Sequence, residues 1–434
     1  MLCVSQPGPF GEDDPFGMGQ FLSNLLGSLG GISSQWDGAQ QLAASVATQG
    51  GTEVNVDPLE RIKIEQLCRV AELQIAQATG LELTRHGRPP EIVPLTRSQW
   101  ATDALTAYRP LFEQLSSSLS TMMKTQLDDL DPGEIAQLDE LLPEIAPGMS
   151  GMDASAMFAG LSQLMGPMML TMMAGSTVGQ LATRSFGSYD LPIPRSSDDR
   201  PLSIIAPNMD AFAADWSLAP DDIRLWVCLN ELAHHAVLGV PHVRERLTSL
   251  LGRHAAAFRA DPDSITRQLS ALDLEGGEMD QIQQLLGNPE LALGAMRSPE
   301  QSALLPEINA LTAIIEGYVD HIVDLVGAPM LVDYAQLSEA LRRRRVETDQ
   351  ASRFVEKLFG LELTTDWIDR GTSFVDRVVE QAGEQTLARI WESEEHLPTT
   401  RELDSPGLWL ARIGVEVELP EADTPLDIPD YPDF

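Results

Sequence analysis

Leu225-Trp226-Val227-Cys228-Leu229-Asn230-Glu231-Leu232-Ala233-His234-His235 is an apolar helical run with one polar cluster set inside it. Residues i and i+4 share a helix face, so two histidines at that spacing can reach one Zn²⁺ while a glutamate beside the first meets the metal's water. Here Glu231 and His234 hold their places, and Asn230 stands where His-Glu-x-x-His requires its first histidine. An asparagine offers no imidazole nitrogen, only a hard, neutral carbonyl oxygen of the kind found around Ca²⁺. The chain therefore carries a degenerate Asn-Glu-x-x-His motif.

The helix bearing it is well delimited. Ser217 is positioned as its cap, Pro220, Asp221 and Asp222 fall in its first turn, and Gly239 and Pro241 close it. A catalytic zinc has three protein ligands and one open position, so a third donor is required. Downstream, Glu316, Asp320 and His321 interrupt an apolar helix, with Glu316 and Asp320 on one face. That spacing suits one carboxylate on the metal and the next holding a ligating imidazole by its other nitrogen. A solvated helix edge gives the same pattern. Adjacent helical residues diverge by about 100°, so His235 cannot aim where His234 does and reads as a packing or supporting group. His321 and Asn230 are the alternative ligands. The polar clusters of 219–238 and 307–326 predict that these two helices pack face to face, since each would otherwise be buried unpaired.

Further out, helices are expected over 57–79, 97–124, 242–258, 279–286, 300–326, 334–358, 364–382 and 384–391, with one more between Pro132 and Pro147. The run 202–208 is the best strand candidate, ending at Pro207. The fold class is mainly α with little β structure. Residues 1–55, rich in Gly, Ser and Gln, read as disordered, 56–200 as a helical domain, 201–412 as the domain of the motif, and 413–434 as a disordered acidic tail. From Arg412 to the end there are seven acids, four prolines and no further base. The segment 154–183 has no charge across thirty residues, but its Met, Ala and Gly content favours buried helices crossing closely at Gly175 and Gly179 over a bilayer span.

A net charge of −36 argues against nucleic acid and anionic membrane as partners. The first basic side chain is Arg61, so no secretory n-region is read, and Cys3, Cys68 and Cys228 are too few for a disulfide framework. A cytoplasmic protein is expected. The basic run 342–345 reads as ion pairs on a solvated face. No phosphate-binding loop, dinucleotide fingerprint or serine-hydrolase elbow is present.

Taken in order, Trp226-Val227, Glu231-x-x-His234-His235, Pro241-His242-Val243-Arg244, Glu316-Gly317-Tyr318-x-Asp320-His321, Gly371-x-x-Phe374-Val375 and Trp409-Leu410-x-Arg412 resemble a bacterial family of hydrolases with a zincin-like fold. Phe186-Gly187-Ser188-Tyr189-Asp190-Leu191-Pro192 looks like that family's Gly-Gln-Tyr-Asp segment. The family comprises zinc-dependent metalloproteases, with a branch associated with deazaflavin-cofactor biosynthesis. The resemblance implies Glu231 as general base, His234 as zinc ligand and Glu316 as third ligand with Asp320 behind it. Two functions are then expected from different classes: a zinc metallohydrolase acting on peptide or protein, or a protein of the same fold that has lost catalysis and keeps the cleft for binding or scaffolding. A membrane-embedded protease would rest on 154–183 alone.

Overall fold

The computed structural model describes residues 31–85, 87–128, 170–195, 200–258, 298–346 and 358–416, with Met168, Arg353 and Glu356 besides. The expected helices near 132–147 and 279–286 and most of 154–169 lie outside the described residues, as does the chain beyond 416.

The fold is mainly α. Its helices, numbered in chain order, are α1 (Gly31–Ala47), α2 (Pro58–Thr79), α3 (Arg97–Asp128), α4 (170–181), α5 (Ala206–Trp216), α6 (Pro220–Val237), α7 (Pro241–Ala256), α8 (Pro299–Gly327), α9 (Tyr334–Val346), α10 (Thr365–Ala382), α11 (Glu384–Ala388), α12 (Thr400–Asp404) and α13 (Pro406–Arg412). Two short strands, β1 (Ile92–Leu95) and β2 (Leu202–Ile205), pair in parallel with Ile92 opposite Leu202 and Leu95 opposite Ile205. Buried apolar side chains form one continuous cluster from Trp36 to Ile413. No described helix is long and apolar enough to cross a membrane.

Local chemistry explains most boundaries. Asp57 accepts the Leu59 N–H at the start of α2, and Gly80, in the left-handed region at φ 65°, ends it. Ser298 and Gln301 form a capping box on α8. In α10, Gly371, Phe374, Val375 and Val378 are buried at i, i+3, i+4 and i+7, the stripe that faces a core. The backbones of α8 and α10 touch where two glycines meet: a Cβ on Gly371 would lie 2.0 Å from the Ala313 carbonyl oxygen, and one on Gly317 would lie 2.5 Å from the Gly371 carbonyl carbon.

Four expectations are corrected. Residues 31–47 are helical rather than disordered, and Trp36, Ala39, Ala43 and Ala47 are buried. This helix is the partner of the expected close crossing: Cβ atoms on Gly175 and Gly179 would lie 2.5 Å and 2.6 Å from the Ala39 and Ala43 carbonyl oxygens. The buried stripe of α2 is Ile64, Cys68, Ala71 and Ile75, while Leu59, Ile62, Val70 and Leu73 are exposed. Pro207 does not end a strand but sits in the first turn of α5, where a missing N–H is harmless. Ser217 takes a left-handed conformation that ends α5, and Ala219 precedes α6 without a side-chain cap. Finally, the helix expected over 384–391 relaxes into 3₁₀ geometry at Arg389–Trp391.

Candidate metal and substrate cleft

Helices α6 and α8 pack together and bring Asn230 and His234 of the one and Glu316 of the other to one cavity of about 120 Å³, lined also by Tyr189, Asp190 and Arg345. The His234 side chain is 2% exposed and Glu316 12%. Nδ1 of His234 lies 3.0 Å from the carbonyl oxygen of Asn230, one turn back on α6, and Nε2 lies 3.2 Å from Oε1 of Glu316. A carbonyl can only accept, so Nδ1 carries a proton. Neutral His234 then turns a lone pair toward a carboxylate, which is repulsive unless a positive species lies between them. A second proton is one such species. Burial alone would lower the pKa of His234, but the charge of Glu316 and its hydrogen bond outweigh it, and the pKa is raised above the ordinary value.

A divalent cation is the other. Zinc–nitrogen and zinc–oxygen distances near 2.1 Å in tetrahedral geometry separate two donors by roughly 3.4 Å, close to the 3.2 Å found here. The donor set fits zinc in spacing and in donor type, but it is thin. Among the described residues no group of three or more His, Cys, Asp or Glu side chains converges as a metal cage, and Asn230 adds at most an amide oxygen. Arg345, whose guanidinium feels the charge of Glu316, also disfavours a cation there.

The other expected site residues take different partners. Asp320, expected behind Glu316 as the holder of the imidazole, is instead bound by both terminal nitrogens of Arg345 at 2.5 Å. The imidazole is held by the α6 backbone, because the Asn230 carbonyl is nearer than any side chain from α8. His321 turns to Glu384 at 2.9 Å. His235 is buried, and its backbone carbonyl accepts from Arg85 at 2.5 Å. His242 does not line the cavity, and burial lowers its pKa.

Glu231 does not line the cavity either. It is 1% exposed, and its two carboxylate oxygens accept the backbone N–H groups of Ser188 and Tyr189, each at 3.0 Å. Burial pushes its pKa up to about 7, against the Tyr189 hydrogen bond and the charge of His234, which both pull it down. A Cβ on Gly187 would lie 2.2 Å from Glu231 Oε1, so only glycine admits the carboxylate under this loop.

The loop 186–190 is thus part of the site, a role its sequence did not disclose. Trp100 Nε1 donates to the Gly187 carbonyl at 3.0 Å, and Ser188 Oγ accepts the Ser203 N–H of β2 at 2.8 Å. Oδ1 of Asp190 accepts the Phe186 N–H, and Oδ2 accepts from Arg344 at 2.7 Å. The loop so held lays the Tyr189 ring on His234, with centroids 5.8 Å apart and planes 14° from parallel. The one available signal was the Phe186–Pro192 segment itself.

The family described as "Zincin-like metallopeptidase" matches residues 35–410. A crystal structure of a "putative hydrolase with a novel fold" from Chloroflexus aurantiacus is similar with a TM-score of 0.58 and 23% identity, covering 88% of this chain and 99% of that one. No curated protein matches the chain.

Proposed function

The chain belongs to the zincin-like metallopeptidases, and from that membership we propose that it is a zinc-dependent hydrolase of peptide-like substrates working with a reduced ligand set. One observation carries the reading: His234 Nε2 and Glu316 Oε1 face each other at 3.2 Å across a cavity, with the imidazole tautomer fixed from behind by the Asn230 carbonyl. His234 and Glu316 would hold the ion, and Asn230 flanks it. Zinc bound there supplies Lewis-acid polarisation of a substrate carbonyl and acidification of water.

The protein's own groups do the rest. Tyr189 covers one face of His234 and limits water access to it. Glu231 fixes Tyr189 through the backbone. As general base, the role the family resemblance implies, it would first have to release the Ser188 and Tyr189 N–H groups. The pKa of about 7 belongs to the carboxylate held under the loop, and burial is its cause. The occupied state of that carboxylate favours a second reading, a protein that keeps the cleft for binding and has lost turnover.

The test compares zinc stoichiometry and peptide hydrolysis for the wild type, Asn230→His and Glu231→Gln. Restoring the third ligand should tighten zinc by about 10- to 100-fold or more, since losses outside the ligand set already cost that much. Hydrolysis that requires zinc and is lost in Glu231→Gln supports the hydrolase. Zinc-free, inactive wild type together with an Asn230→His variant that gains no zinc would establish the binding protein instead.

A further inference from the structure

A second cavity, about 380 Å³, adjoins the cleft, and Arg184, Phe186 and Arg344 line both. Arg97, Arg184 and Arg344 line it with one acid, Asp215, and Arg344 is paired with Asp190 at 2.7 Å. In a chain of net charge −36 a wall richer in arginine than in acid is a local departure from the overall sign.

The guanidinium groups are held in place. Arg97 Nε donates to Asn208 Oδ1 at 2.6 Å. Asn208 is itself buried and fixed, donating to the Ala182 and Ser185 carbonyls at 2.9 Å and 2.7 Å. Arg97 lines the cavity with its Nε engaged by Asn208, and its guanidinium makes no ion pair among the described residues. Arg344 lies over the Phe186 ring, 3.9 Å from its centroid. It also donates to Asp190, the residue that accepts the Phe186 N–H at the rim of the cleft. A planar, pre-positioned fork beside an aromatic wall of Phe212 and Trp216 matches a carboxylate attached to an apolar body.

We infer that this cavity is a carboxylate-recognition subsite of the cleft, taking the C-terminal or acidic side-chain carboxylate of a peptide whose backbone reaches His234 and Glu316. Arg97 is the specificity-determining residue. The inference rests on the hydrolase reading for the peptide's direction across the cleft, but its test does not need catalysis.

Calorimetric binding to the full-length protein, in chelator to remove metal, uses three N-acetylated alanine pentapeptides. One has a free C-terminal carboxylate, one is amidated, and one is amidated with a single internal glutamate. Either carboxylate peptide should bind about tenfold or more tightly than the neutral amide, as a charged hydrogen-bonding pair allows. Which of the two binds identifies the source of the carboxylate. Arg97→Ala should abolish the preference, Arg97→Lys should keep part of it, and Arg342→Ala, on an exposed arginine outside both cavities, should change nothing. Equal affinity for all three peptides overturns the subsite, as does a folded Arg97→Ala protein with unchanged preference, or binding of inorganic phosphate with no peptide bound. Peptide discrimination without hydrolysis under any metal removes the hydrolase reading and leaves the subsite standing. Hydrolysis without discrimination removes the subsite alone.

Discussion

Glu231 and His234 each take up a proton more readily in the folded chain than in the unfolded one, and the signs of the two effects agree. The carboxyl of Glu231 titrates at about 7 rather than 4.5. Between those values the folded state holds a proton that the unfolded state has released, and stability falls as pH rises through the window, by roughly 3 kcal/mol in all. The stabilisation that His234 gains from Glu316 is likewise complete below its ordinary value and lost as pH rises through the elevated one. Denaturant unfolding from pH 5 to 8 should show falling stability, and Glu231→Gln should flatten the profile. A slope unchanged in that variant would assign it to other groups. Gly187→Ala should be severe, costing more than about 2 kcal/mol and displacing the loop, because its Cβ would occupy the place of the Glu231 carboxylate; thermal unfolding checks this.

Helical spacing made Asn230, His234 and Glu316 legible, because i and i+4 fix a face and two polar clusters in apolar helices must meet. The same spacing misassigned Asp320, since it says nothing of Arg345 arriving from α9. The loop over Glu231 was hidden for a related reason: its contacts join residues some forty positions apart through backbone N–H groups, which every sequence has.

Elements were legible where a cap or a breaker marked them. Asp57 and Gly80 bracket α2, and Ser298 opens α8. The helix α1 is not legible in the sequence, because its composition is that of a flexible segment. Its alanines are small for a packing reason: with Gly175 and Gly179 opposite, they let two backbones meet. The crossing of α8 and α10 obeys the same rule with less tolerance, and α8 carries Glu316. Gly371→Ala should therefore cost at least about 2 kcal/mol and weaken zinc binding together with stability. Stability lost with zinc affinity intact would show that α8 yields without moving Glu316.

Across the whole molecule the excess of acid works against compactness. Screening lengths fall from about 30 Å at 0.01 M salt to about 3 Å at 1 M, so the self-repulsion of −36 charges should fade over that range. The unfolding temperature should rise by several degrees between 0.01 M and 0.5 M sodium chloride. A fall would mean that the buried Arg224–Glu60 pair and its kin outweigh the repulsion.

The parallel pairing of β1 with β2 has a consequence in time. The two strands are separated by more than a hundred residues, and closing so large a loop costs entropy before any ladder bond repays it. The Ser188 hydroxyl that steadies the loop over Glu231 takes its N–H from Ser203, in β2, and Glu316 is synthesised later still. A nascent chain that ends between His234 and Glu316 carries the imidazole without its opposing carboxylate, which lies 82 residues further on, so the pair across the cleft cannot form until α8 has been made.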